Sequence, residues 1–164
     1  MSYFIILRGA LGIGKSTVAK KLCSILNGEY FSVDEVIDKN SLDKKSEDGF
    51  ISEESFLKAN ELIIREIKPL LNGNKVVILD GCFYRKSQIE DLKNNLDFDG
   101  FVFTLKAPLE ECIKRDANRD GSCGGNAAKV VYEIVSKFDY GEIIDTENKT
   151  EDEVVNEILV YLPN

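Results

Sequence analysis

The chain has 164 residues, 43% hydrophobic and 30% charged with both signs mixed, and a net charge of −8 at pH 7. That is enough for one domain with a sizeable core, and it excludes a disordered acidic tail or a low-complexity segment. No apolar run approaches the ~20 residues that span a bilayer, and the apolar stretch from Tyr3 to Leu7 lacks the length and cleavage site of a signal peptide.

Four scattered cysteines, Cys23, Cys82, Cys112 and Cys123, include no C-x-x-C pair, and there is no histidine. Zinc sites built from Cys and His, and Ser-His-Asp or Cys-His nucleophilic mechanisms, are therefore out. Free, mostly buried thiols in a reducing, cytoplasmic compartment are expected.

In chain order, residues 3–7 read as a buried strand ended by Gly9, and a Gly-rich turn leads to a helix over 16–26 that closes at Asn27-Gly28. Residues 29–33 form a second short strand. From 52 to 71, Phe56, Ala59, Ile63, Ile67 and Leu70 mark one face of a long helix that Pro69 ends or kinks. Residues 75–79 are the most strand-like run, and Ser87-x-x-Glu90 is a capping box for the next helix. A strand over 100–105 follows, with Pro108 in the first turn of the helix after it. Val130, Ile134 and Phe138 line another helix, residues 142–144 a last strand, and Thr150-x-x-Glu153 caps a final helix. Five nearly all-apolar strands alternating with helices predict an α/β fold in three α/β/α layers around a five-stranded parallel sheet. No linker or repeat interrupts it, so residues 1–164 read as a single domain. In such a sheet the binding crevice lies at the carboxyl ends of the strands.

Gly9-Ala10-Leu11-Gly12-Ile13-Gly14-Lys15-Ser16 matches G-x-x-x-x-G-K-[ST] in full, between a strand and a helix. The backbone of Gly9, Gly12, Ile13 and Gly14, with Ser16 and Thr17 at the helix start, can converge N–H groups on phosphate oxygens. Lys15 can reach the β- and γ-phosphates of ATP, and the Ser16 hydroxyl can ligate Mg²⁺. Asp34 follows the second strand and can accept a proton from a substrate hydroxyl. Asp80 follows the third and can hold Mg²⁺ or order the phosphate loop. The chain has five Arg against 16 Lys. Arg8 abuts the loop, Arg85 follows the Asp80 turn, and Arg115 and Arg119 stand four apart on a helix before the small, polar stretch 120–126. Residues 115–126 read as a closing lid.

These motifs resemble those of P-loop kinases of the polynucleotide-kinase-like and zeta-toxin-like group, relatives of adenylate, shikimate and gluconate kinases. Residues 107–119, with Pro108-Leu109-Glu110, Cys112, Arg115 and Arg119, are similar to that group's lid helix P-L-E-x-C-x-x-R-x-x-x-R. The resemblance implies that Arg115 and Arg119 clamp ATP phosphates or the migrating phosphoryl group, and that Asp34 is the base. Where polynucleotide kinases carry D-D-x-R, this chain has Asp34-Glu35-Val36-Ile37, and Asp80-Gly81-Cys82-Phe83-Tyr84-Arg85 nearly matches the D-G-F-P-R of adenylate kinases.

The expectation is an ATP- and Mg²⁺-dependent kinase acting on a hydroxyl of a small molecule, as a monomer or homodimer and without a membrane. Nucleic acid is disfavoured by the net charge and by Ile37. The acceptor is expected to enter between Asp34 and a polar insert at 40–54 capped by Phe50 and Ile51. Asp34, Asp80 and Arg85 would bind it, with Phe83 and Tyr84 beside them. Polynucleotide or nucleoside monophosphate kinases are the alternatives. From another class come a non-catalytic ATP-binding protein and a GTPase-like switch. For the switch, Asn148-Lys149-Thr150-Glu151 departs from N-K-x-D at its last position.

Overall fold

Apolar strands buried on both faces require helices above and below the sheet, and the computed structural model, which describes residues 1–47 and 49–163, has that architecture. The strands are β1 (Tyr3–Arg8), β2 (Glu29–Ser32), β3 (Val77–Gly81), β4 (Asp99–Lys106) and β5 (Glu142–Asp145). They form one parallel sheet in the order β2-β3-β1-β4-β5. Parallel neighbours need crossover connections. Here they contain the helices α1 (Lys15–Leu26), α2 (Val33–Lys39), α3 (Glu53–Asn72), α4 (Lys86–Asn95), α5 (Leu109–Ala117) and α6 (Gly125–Val135), and α7 (Glu151–Leu159) follows β5.

Alternating strand residues feed two cores. Ile5, Leu7, Ile78 and Phe103 pack against Val18 and Leu22 of α1 and Val154 and Ile158 of α7. Phe4, Ile6, Val77 and Leu79 pack against Ile63 and Ile67 of α3 and Ile89 and Leu92 of α4. Each such side chain contributes about 1.5–3 kcal/mol of burial. Because β1 leads into α1 on one face and β3 into α4 on the other, the carboxyl ends of these neighbours open a crevice.

Several boundaries move from their sequence-based positions, each for a local reason. β2 stops at Ser32 because the Ser32 hydroxyl accepts the Glu35 N–H (3.3 Å) and caps α2, which leaves Asp34 in the first turn of that helix. Pro69 does not end α3, which runs to Asn72; the ring only removes one donor near the last turn. α4 opens at Lys86, ahead of the expected Ser87 box: Gln88 Oε1 accepts the Arg85 N–H (3.0 Å), and Ser87 bonds Glu53 instead. α6 ends at Val135, so Phe138 lies outside it, and Val130 is exposed while Val131, Ile134 and Val135 are buried.

The Thr150 box is present, with the Thr150 hydroxyl accepting the Glu153 N–H (3.2 Å) and the Glu153 carboxylate accepting the Thr150 N–H (2.7 Å). Thr150 is thus used as the cap of α7. Thr150→Ala should lower the urea midpoint by an amount equivalent to about 0.5–2 kcal/mol with the slope unchanged. An unchanged midpoint would show that packing alone holds α7.

Candidate active site

The turn from β1 into α1 is built on glycine. Gly12 (φ 74°) and Gly14 (φ 96°) take left-handed backbone conformations that other residues rarely adopt. At Gly12 a side chain is also sterically barred: a Cβ there would stand 2.2 Å from the Cys112 carbonyl oxygen of α5 and 2.9 Å from the Asp116 nitrogen. Around Gly14 there is open space, so backbone N–H groups at the start of α1 are uncovered on the crevice side. Lys15 is buried and donates to the Ala10 carbonyl (2.8 Å), which holds its ammonium inside the turn.

Over this turn lies a cleft of about 760 Å³. It collects Gly12, Gly14, Lys15, Ser16, Thr17, Asp34, Asp80, Arg115 and Arg119 from the sequence-predicted set. Gly9, Ile13 and Arg85 are not among its lining residues. Gly9 packs against Leu105 beneath the turn, and the Ile13 side chain is core. The Arg85 guanidinium donates to the Ile51 carbonyl (3.2 Å), tying α4 to the 40–54 segment, of which Asp48 lies outside the described residues. In that segment Ser46 N–H donates to the Phe50 carbonyl (2.8 Å), and the Phe50 ring meets Tyr84 edge-on at 5.9 Å. Phe83, expected near the acceptor, is instead buried in the core at φ 49°.

Arg8 also departs from expectation. It is wholly buried and turned away from the cleft, donating to the Val135 (2.8 Å) and Phe138 (3.0 Å) carbonyls beyond the crevice and lying over the Phe138 ring. Desolvation lowers its pKa to about 10, with Asp139 and Cys82 opposing. It fastens the end of β1 to the end of α6.

Arg115 belongs to α5, whereas Arg119 stands two residues past its end, so the two arginines reach the cleft from a helix and from a loop. Arg115 is held by Glu111 (2.9 Å) and Thr146. Arg119 pairs with Asp116 (2.7 Å), a buried carboxylate that also accepts from the Ser122 hydroxyl and the Cys123 N–H. The expected lid is thus a loop anchored at Asp116, followed by α6 from Gly125.

Across the cleft, Asp34 is open to solvent on one side and surrounded by protein on the others. That partial desolvation raises its pKa; Lys15 pulls it down, Asp80 and Asp38 push it up, and Arg119 pulls it down. Asp80 is buried and accepts a hydrogen bond from Tyr30 (2.6 Å). Burial and Asp80 together raise the Tyr30 pKa. Sequence reasoning passed over both Tyr30 and Asp116: only the pairing across strands with Asp80 singles out Tyr30, whereas Asp116 stands at an unspecified position of the 107–119 motif and was legible from its i,i+3 spacing to Arg119. All four cysteines are free thiols, and burial pushes Cys82 up to about 11, which leaves it an unreactive thiol.

The donor set suits a hard cation. Ser16 and Asp80 offer oxygen, and among the described residues no three His, Cys, Asp or Glu side chains form a cage. Mg²⁺ needs none, since it keeps waters and phosphate oxygens and takes one or two protein ligands. Among the described residues no helix is long and apolar enough to cross a membrane.

A phosphate-binding turn, two arginines and two carboxylates at the carboxyl end of a parallel sheet define a P-loop kinase, a class that uses ATP. Residues 2–163 match the family model described as chloramphenicol phosphotransferase-like protein, and the chain belongs to that family. It is similar to shikimate kinase 1 of Yersinia enterocolitica, with 29% identity over 96% of this chain and 95% of that one. Its fold matches the APS kinase of Mycobacterium tuberculosis, solved with AMPPNP and APS, at a TM-score of 0.73 and 16% identity, covering 97% of this chain and 96% of that one. It also matches the tunicamycin resistance protein of Deinococcus radiodurans at 0.70 and 21% identity, covering 99% and 98%. These matches place the chain among the phosphotransferases and accord with the P-loop kinase resemblance read from the motifs.

The raised pKa of Asp34 carries a stability cost. The folded protein binds this proton more tightly than the unfolded chain, whose carboxyl titrates near 3.8, so stability falls as pH rises from there through the folded value. Asp34→Asn should therefore melt at a higher temperature than the wild type at pH 7, with the gap closing as pH falls toward 3. A lower melting temperature at pH 7 would mean that the charged carboxylate is held favourably.

Proposed function

We propose that this kinase transfers the γ-phosphoryl group of ATP to a hydroxyl of a small-molecule acceptor, with Asp34 as general base. The observation that carries the reading is the placement of Asp34 in one cleft with Lys15 and Arg119, near enough for both cations to act on its titration. Asp34 takes the acceptor's hydroxyl proton as that oxygen bonds to the γ-phosphorus; the bond to the bridging oxygen breaks and ADP leaves. Lys15 neutralises the β- and γ-phosphates, and Arg115 and Arg119 meet the charge of the migrating group. Ser16 and Asp80 would hold Mg²⁺, which would supply neutralising charge for the phosphates when bound. Gly12, Gly14 and Thr17 shape the cradle, with Gly9 and Ile13 supporting it from below. Residues 115–126 close over it.

The acceptor enters between Asp34 and residues 40–54, with Arg85 fixing that segment through Ile51. A small acceptor is supported by three observations. The net charge is −8. Ile37, at the position of the polynucleotide kinases' arginine, is buried in the core and does not line the cleft. Shikimate kinase and APS kinase, by their names, act on small molecules.

Labelled ATP offered with sugars, nucleosides, amino-alcohols and 5′-hydroxyl oligonucleotides tests the acceptor class. Labelling of a small compound is expected, and preferential labelling of oligonucleotides would overturn it. With the acceptor in hand, Asp34→Asn should lose about 10²–10⁴-fold in kcat while ATP affinity stays near wild type. Transfer at the original rate would make Asp34 structural.

A further inference from the structure

Asp80 is 2% exposed, and a buried carboxylate needs a partner. Its partner is the phenol of Tyr30, at 2.6 Å from Oδ2. The sheet explains how a residue two positions back from the strand end reaches it. β2 and β3 pair Tyr30 with Ile78 and Ser32 with Asp80, so all four side chains stand on the α1 face. The Tyr30 ring packs against the core on that face, and the Lys20 ammonium of α1 lies 5.7 Å from its centroid. The hydroxyl is carried up the sheet to the cleft, whose lining also includes Ser16 and Ser32.

The phenol thus engages Asp80 in a cleft shared with Ser16, the two side chains that the proposed function assigns to Mg²⁺. We propose that Tyr30 is a positioning residue for Mg²⁺: its hydroxyl engages Oδ2 of Asp80 and so fixes the orientation in which that carboxylate would meet the cation in the cleft shared with Ser16. A ring with only two rotatable bonds, wedged between β2 and α1, fixes that geometry better than a flexible side chain would. Groups that orient metal ligands in this way typically change metal affinity 10- to 100-fold when removed.

The inference rests on the assignment of Asp80 to the metal, and the experiment separates the two. ATP is titrated calorimetrically into wild type, Tyr30→Phe and Asp80→Asn, in EDTA and over a series of Mg²⁺ concentrations. Tyr30→Phe keeps the ring and its packing. It should match wild type in EDTA yet need about tenfold more Mg²⁺ for the metal-dependent gain in ATP affinity. Asp80→Asn should shift the same requirement at least as far. If Asp80→Asn shifts it and Tyr30→Phe does not, the Tyr30 role is wrong and the Asp80 assignment survives. If neither shifts it, the Asp80 assignment fails and the Tyr30 role with it. If Tyr30→Phe loses ATP binding equally in EDTA, the hydroxyl supports the fold rather than the metal.

Discussion

The phosphate turn presses its backbone directly against the backbone of α5, and only glycine at position 12 permits that approach. A Cβ there would fall 2.2 Å from the Cys112 carbonyl oxygen, a distance that α5 could relieve only by moving away. The contact fixes two things at once. It holds the turn in the left-handed conformation that points N–H groups at the crevice, and it seats α5 so that Arg115 and the Asp116-anchored loop of Arg119 reach the same cleft. Arg8, buried beneath, adds a second fastening between the end of β1 and the end of α6. The cationic parts of the site are therefore positioned by backbone packing rather than by one another.

The acidic parts come from the opposite flank, where β2 and β3 end in register at Ser32 and Asp80. Two carboxylates close to one cleft would repel, and the environment distinguishes them. Asp80 is buried with a phenol donor and suits a fixed role at a cation, whereas Asp34 is open to solvent with a raised pKa and suits proton transfer. A carboxylate whose protonation is favoured by its surroundings is a stronger base than a free one at the same pH, provided it is still ionised.

The periodicities and the one complete motif made the layers, the five strands and the phosphate turn readable in the sequence. What they left out follows from what a linear pattern encodes. Ser32 caps α2 through a hydroxyl that looks like any strand residue, which moved the end of β2 and put Asp34 in a helix. Phe83, expected beside the acceptor, is core, and Phe138, expected on a helix face with Val130 and Ile134, lies past the end of α6 and stacks on Arg8. Arg8 and Arg85 are next to phosphate-binding and acid-bearing turns in sequence, yet their side chains satisfy backbone carbonyls elsewhere. Tyr30 reaches the site only through pairing across strands, which no local spacing announces, whereas Asp116 stands three residues before Arg119. Adjacency in sequence located the turns; side-chain direction decided which residues face the cleft.

If the turn from β1 into α1 holds the phosphates of ATP through Lys15, removing that ammonium must weaken nucleotide binding. The measurement is a calorimetric titration of ATP, in Mg²⁺, into the wild type and Lys15→Ala. Loss of a charge-assisted contact of about 1.5–3 kcal/mol should weaken binding roughly 10- to 150-fold. Equal affinity in the two proteins would place the nucleotide somewhere other than the turn that the fold is built around.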